Sequence, residues 1–129
     1  MAQIKIYGVA SRLDPIKARL SDAIHSCVVD ALSFPAEKRF HRFIALADED
    51  FVFPADRTDK YTIVEIDMFE GRSTETKKEL IRLLFERVCR QCHIAPNDLE
   101  IHMTETPRSH WGIRGLPADE LPLSYKVRV

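Results

Sequence analysis

The fold turns on residues 62–92, TIVEIDMFEGRSTETKKELIRLLFERVCRQC. Thr62, Ile63, Val64, Ile66, Met68 and Phe69 form a β-branched and apolar run that reads as a buried strand. The chain turns at Glu70, Gly71, Arg72 and Ser73 and continues as a helix. Ser73 suits an N-cap, Glu75 places negative charge in the first turn, and Leu80, Ile81, Leu84, Phe85 and Val88 recur on one face. Gly71 permits a tight bend that sets Arg72 at the mouth of the helix, where backbone N–H groups and a guanidinium together favour an anion. The turn is therefore a candidate carboxylate site. The plainer alternative is an ion pair between Arg72 and Glu70 or Glu75.

Upstream, residues 3–9 alternate around Ile4 and Ile6 and read as a strand. Asp14 suits an N-cap and Pro15 the first helical position, opening a helix whose apolar face runs from Ile16 through Leu20, Ile24, Cys27 and Val28 to Leu32. Ser33, Phe34 and Pro35 end it, and residues 40–46 can form a second strand. Residues 48–60 read as a loop or short edge hairpin built on Phe51 and Phe53. Downstream of Cys92, a turn over residues 93–98 leads to a strand over 99–104. The tail closes with Leu123, Tyr125, Val127 and Val129 in period two, which predicts a final strand.

A shift of sixty residues lays Ile4 and Ile6 on Val64 and Ile66, Arg12 on Arg72 and Leu20 on Leu80. The pattern predicts an α/β (α+β) fold in one domain spanning residues 1–129. Two duplicated β-α-β units, residues 3–46 and 62–105, form a four-stranded core sheet with two helices on one face, plus short additional strands and a tail over 106–129. The uncovered face of such a sheet is expected to be apolar and buried by a homo-oligomer.

At 129 residues and 45% hydrophobic content, the chain can bury a real core. Nineteen basic against twenty acidic residues give a net charge of -1, so no overall field draws nucleic acid or an anionic membrane. No apolar run approaches the roughly 20 residues of a spanning helix, and residues 1–8 lack the features of a signal peptide, so a cytoplasmic location is expected. Cys89 and Cys92 have the spacing of a redox or half-zinc motif. They fall on a helix end without a second cysteine pair, so reduced structural thiols are expected, with no metal.

The two β-α-β units, the MFEGRSTETKKEL turn over residues 68–80 and the RSHWGIRG segment over 108–115 together resemble the tautomerase superfamily. The nearest branch is that of the long-chain members related to malonate semialdehyde decarboxylase. The resemblance implies a trimer, no cofactor, and an amino-terminal proline as general base or acid on small oxo or enol carboxylates held by arginines. In this sequence the proline's place falls to Ala2, whose nitrogen would be a primary amine after loss of Met1. The branch's aspartate falls at Lys38, and one of its two arginines at Glu70. Arg72 matches the other arginine, and Trp111 the active-site tryptophan.

The resemblance thus assigns Ala2 and Arg72 to catalysis and Trp111 to the pocket. Arg114, His110 and Arg12 complete the expected substrate-binding set. His110 and Arg114 flank Trp111 in its loop, and Arg12 is the repeat partner of Arg72. His25 is expected at the surface, and His41 and His102 in strand packing. The rival reading is a non-catalytic trimeric anion-binding or interaction protein; a third puts a hydrolytic proton transfer on His110.

Overall fold

A computed structural model describes residues 2–129. Six strands and three helices follow in the order β1 (Ala2–Val9), α1 (Ala10–Leu13), α2 (Lys17–Leu32), β2 (His41–Leu46), β3 (Thr62–Phe69), α3 (Thr74–Cys92), β4 (Leu99–Thr106), β5 (Gly112–Ile113) and β6 (Leu116–Pro117). The main sheet has the order β2-β1-β3-β4. β1 and β2 are parallel, as are β3 and β4, while the central β1–β3 pair is antiparallel and sets Ala2 opposite Met68 and Gly8 opposite Thr62.

That register puts Ile4, Ile6, Val64, Ile66 and Met68 on one face, where α2 and α3 bury them almost completely with Leu20, Ile24, Leu84 and Val88. Period two in the strands and period 3.6 in the helices converge on one layer of side chains. Truncating one of the leucines or isoleucines, or Met68, to alanine removes about 2–5 kcal/mol. α3 starts as its sequence dictates, Ser73 Oγ accepting from the Thr76 N–H. α2 and α3 both end on non-glycine residues in the left-handed region, Ser33 at φ 52° and His93 at φ 56°.

Four expectations are corrected. The first helical segment begins at Ala10, directly after β1, without a side-chain cap, so Asp14 is no N-cap. It lies in a 3-10 turn, Asp14–Ile16, where Pro15 interrupts the regular ladder and Asp14 pairs with Lys17 at 2.7 Å. The tail forms no strand, because it docks on the β3–α3 turn instead of a sheet edge: the Ser73 N–H donates to the Val129 carbonyl at 3.0 Å. The open sheet face is not simply apolar. It is half-exposed and carries Lys5 between Glu65 and Asp67, both at 3.6 Å. His25 is buried, 6% exposed, and its Nε2 bonds the Ala36 carbonyl at 2.7 Å.

His41 opens β2 against Ser21, Nδ1 to Oγ at 2.8 Å, whereas His102 on β4 is exposed. Burial, with the nearby His25 and Arg39, pushes the His41 pKa down to about 4.

Candidate active site

The site is built where β1 begins and β3 ends. Ala2 is 3% exposed opposite Met68, and Phe69 closes β3 fully buried. Glu70 donates its N–H to the Thr106 carbonyl at 2.9 Å, and the chain then bends at Gly71, φ 131°. Only glycine reaches this conformation without strain. A Cβ there would also stand 3.2 Å from Val127 Cγ1. The bend turns Arg72 inward, 4% exposed, with Nη1 donating to the Phe69 carbonyl at 3.1 Å.

Nε and Nη2 of Arg72 are buried without a hydrogen-bond partner among the described residues. A guanidinium that has lost its water and gained one carbonyl is short of acceptors. Burial accordingly pulls its pKa down, against the opposing influence of Tyr125 and Glu105. Glu105 is itself engaged by Lys77 at 2.7 Å, and neither Glu70 nor Glu75 pairs with Arg72.

The wall comes from the segment after β4. Trp111 meets Phe69 edge to face, centroids 5.2 Å apart at 80°, and its Nε1–H donates to Thr106 Oγ1. The Arg108 guanidinium lies 5.9 Å from the Phe69 ring centroid. Its Nη2 donates to the carbonyls of Ala118 at 2.8 Å and Leu121 at 2.7 Å, while its Nε is a third buried donor without a partner. Tyr125 completes the cluster. Its ring packs on Phe34 at 4.9 Å and under Lys38 Nζ at 5.3 Å. Burial raises the Tyr125 pKa, with Arg72 and Arg108 pulling it back. Arg108, Tyr125 and Glu70 line an open cavity at this end.

The structure thus gathers Ala2, Arg72 and Trp111 at one end of the sheet. Arg114 and His110 do not join them. Arg114 is exposed at the tip of the β5–β6 hairpin, where its φ of 51° beside Gly115 at 84° makes the tight turn. His110 is exposed in the 3-10 turn Arg108–His110. Arg12 lies at the opposite end, paired with Asp59 at 2.8 Å. Nor is the helix N-terminus open to an anion. The Val129 carbonyl accepts from the Ser73 N–H and from Thr76 Oγ1 at 2.8 Å.

Arg108 and Tyr125 are the residues that reading the sequence missed. Arg108 sits three residues before the tryptophan, and its charge beside an aromatic loop was the available signal. Tyr125 carried none beyond the alternation that suggested a strand. The cysteines stay apart from this chemistry: Cys27 and Cys92 are buried and Cys89 half-buried, and burial raises all three pKa values, that of Cys27 to about 11. Among the described residues no group of three or more His, Cys, Asp or Glu could hold a metal, and no helix is long and apolar enough to cross a membrane.

The chain belongs to the tautomerase family: the model of the tautomerase enzyme family matches residues 38–114, more than half of the sequence. It is similar to the probable tautomerase YrdN of Bacillus subtilis (strain 168), 29% identical over 98 residues that cover 72% of this chain and 75% of that protein. It is also similar to 2-hydroxymuconate tautomerase of Pseudomonas putida, 37% identical over 59 residues, 46% of this chain and 94% of that enzyme. Among solved structures, malonate semialdehyde decarboxylase superposes with a TM-score of 0.79 at 24% identity, covering 89% of this chain and 93% of the other, a likeness of fold.

Proposed function

We propose that the protein is a cofactor-independent isomerase that moves a proton between oxygen and carbon of a small oxo or enol carboxylate. The observation that carries this reading is Arg72, a buried guanidinium with two unpartnered nitrogens at the sheet end where Ala2 begins β1. A substrate carboxylate supplies the missing acceptors, and Arg108, whose guanidinium lies 5.9 Å from the Phe69 ring centroid, adds positive charge for a developing enolate. Trp111 and Phe69 form the apolar wall.

The proton is handled by the Ala2 nitrogen once Met1, which lies outside the described residues, is removed. An α-amine has a pKa of about 7.7–8.0, and neighbouring cations and burial lower it toward neutrality. In the ketonising direction the amine takes the enol O–H proton and returns one to the adjacent carbon; the charges balance without any oxidant. A cytoplasmic homotrimer is the assembly that goes with this reading, its contacts drawing on the half-exposed sheet face around Tyr7 and Ile63.

A second reading is favoured by Ala2 in the proline's place and by the tail docked over the Arg72 turn: a carboxylate binder without turnover. Ultraviolet absorbance during ketonisation of phenylenolpyruvate separates the two. The isomerase reading expects turnover by protein whose intact mass ends at Ala2, abolished when that amine is acetylated. Absence of turnover, with dicarboxylates still raising thermal stability, establishes the binder.

A further inference from the structure

A second cavity, of about 240 Å3, lies at the opposite end of the β1–β3 pair and has no part in the proposed reaction. It opens where β1 ends and β3 begins, at the Gly8–Thr62 pairing, whereas Ala2 and Met68 pair at the other end. The antiparallel pair presents two ends, each followed by an arginine three residues beyond its strand: Arg72 after Phe69, Arg12 after Val9.

The inner wall is apolar, made chiefly by Leu13, Ile16 and Ile94 with the buried Cys92 thiol. The rim is cationic: Arg12, Arg19 and Lys60 line it, against Asp59 as the one lining carboxylate. Asp59 is taken by Arg12, and Lys60 Nζ holds only the His93 carbonyl at 3.2 Å. Among the described residues Arg19 makes no ion pair. Arg19 lines the cavity beside Cys92, and its charge lowers the thiol pKa that burial raises.

We infer that this cavity is a non-catalytic site for a small monocarboxylate with a compact apolar body, such as an aryl carboxylate. Its ring lies against Leu13, Ile16 and Ile94, and its carboxylate meets Arg19 and Lys60. The site binds without turning over, because the nitrogen corresponding to that of Ala2 is here the Thr62 amide, internal to the chain after Tyr61. An amide nitrogen has no proton-accepting lone pair at neutral pH. The inference is independent of catalysis at Arg72.

The test is titration of the 15N-labelled full chain with benzoate, with benzamide as the neutral control, following the amides of Gly8, Thr62 and Ile94. Saturable shifts at these three, with benzamide at least about tenfold weaker, are expected, the usual worth of a charge-assisted hydrogen bond. Arg19→Gln, a change at an exposed residue, weakens benzoate about tenfold, Ile16→Trp fills the cavity and blocks it, and Arg72→Met leaves these shifts in place. Shifts confined to residues around Arg72 and Trp111, equal binding of benzamide, an unchanged affinity in Arg19→Gln, or no shifts at millimolar benzoate would each overturn the assignment.

Discussion

Arg12 and Arg72 each follow a central strand by three residues, yet they end in opposite physical states. After β1 the helix starts at once, at Ala10, and throws Arg12 outward to 53% side-chain exposure, where Asp59 meets it. After β3 the chain first bends at Gly71 and enters the helix only at Thr74, so Arg72 turns inward and is 4% exposed. An exposed pair of the Arg12 kind contributes about 0–1 kcal/mol. A buried guanidinium lacking acceptors is a cost to the fold that a bound anion can offset. Two similar strand ends thus become an exposed ion pair and a buried guanidinium short of acceptors through the placement of one bend.

The largest effect expected from the difference between the two units is on acid stability. His41, in the first unit, has a pKa pushed from 6.5 to about 4. The unfolded chain therefore takes up a proton that the folded chain refuses. This contribution is complete above about pH 6.5 and is lost as the pH falls through about 4. Urea unfolding at pH 7.5 and 4.5 should show it, His41→Gln should flatten the dependence, and amide exchange should rise along β2 before β4.

Arg72→Met comes next. It should weaken any small carboxylate at that end by about 1.5–3 kcal/mol, read by calorimetric titration, while thermal stability holds or rises because an under-solvated charge is gone. A fall in both would mean that Arg72 is a structural strut. Gly71→Ala should lower stability by about 1–2 kcal/mol, since φ 131° strains any Cβ and Val127 stands 3.2 Å away. Denaturant melts of the two proteins measure that loss, and it should bring weaker carboxylate binding by turning Arg72 outward. Arg12→Ala should have the smallest effect, under about 1 kcal/mol and vanishing at high salt. A larger loss in the same melts would show that the two ends are more alike than their burial suggests.

The legibility of these features follows the range of the interactions behind them. The cap at Ser73, the apolar face of α3 and the alternation of β1 and β3 depend on neighbours a few residues away, and all are plain in the sequence. The helix start is hidden because Asp14 and Pro15 form a strong local signal that the continuous run out of β1 overrides. The tail resembles a strand because alternation of Leu123, Tyr125, Val127 and Val129 records two-sided surroundings, and packing on a helix end supplies those as well as a sheet does. Of the expected site residues, Arg72 and Trp111 both touch Phe69 and Ala2 pairs with the neighbouring Met68, while His110 and Arg114 are exposed and Arg12 is at the other end of the sheet, because a local pattern does not state what a side chain packs against.

By itself, then, the sequence determined the order of the elements, the parallel pairing within each strand–helix–strand unit and the bend at Gly71, since periodicity, capping and glycine geometry act through adjacent residues. Only the tertiary structure decided that one arginine is dry and the other wet, and that Arg108 and Trp111, from the segment after β4, close on Phe69. The physical reason is that burial and charge proximity sum over segments up to a hundred residues apart, as with Phe34 against Tyr125, and no local pattern carries that sum.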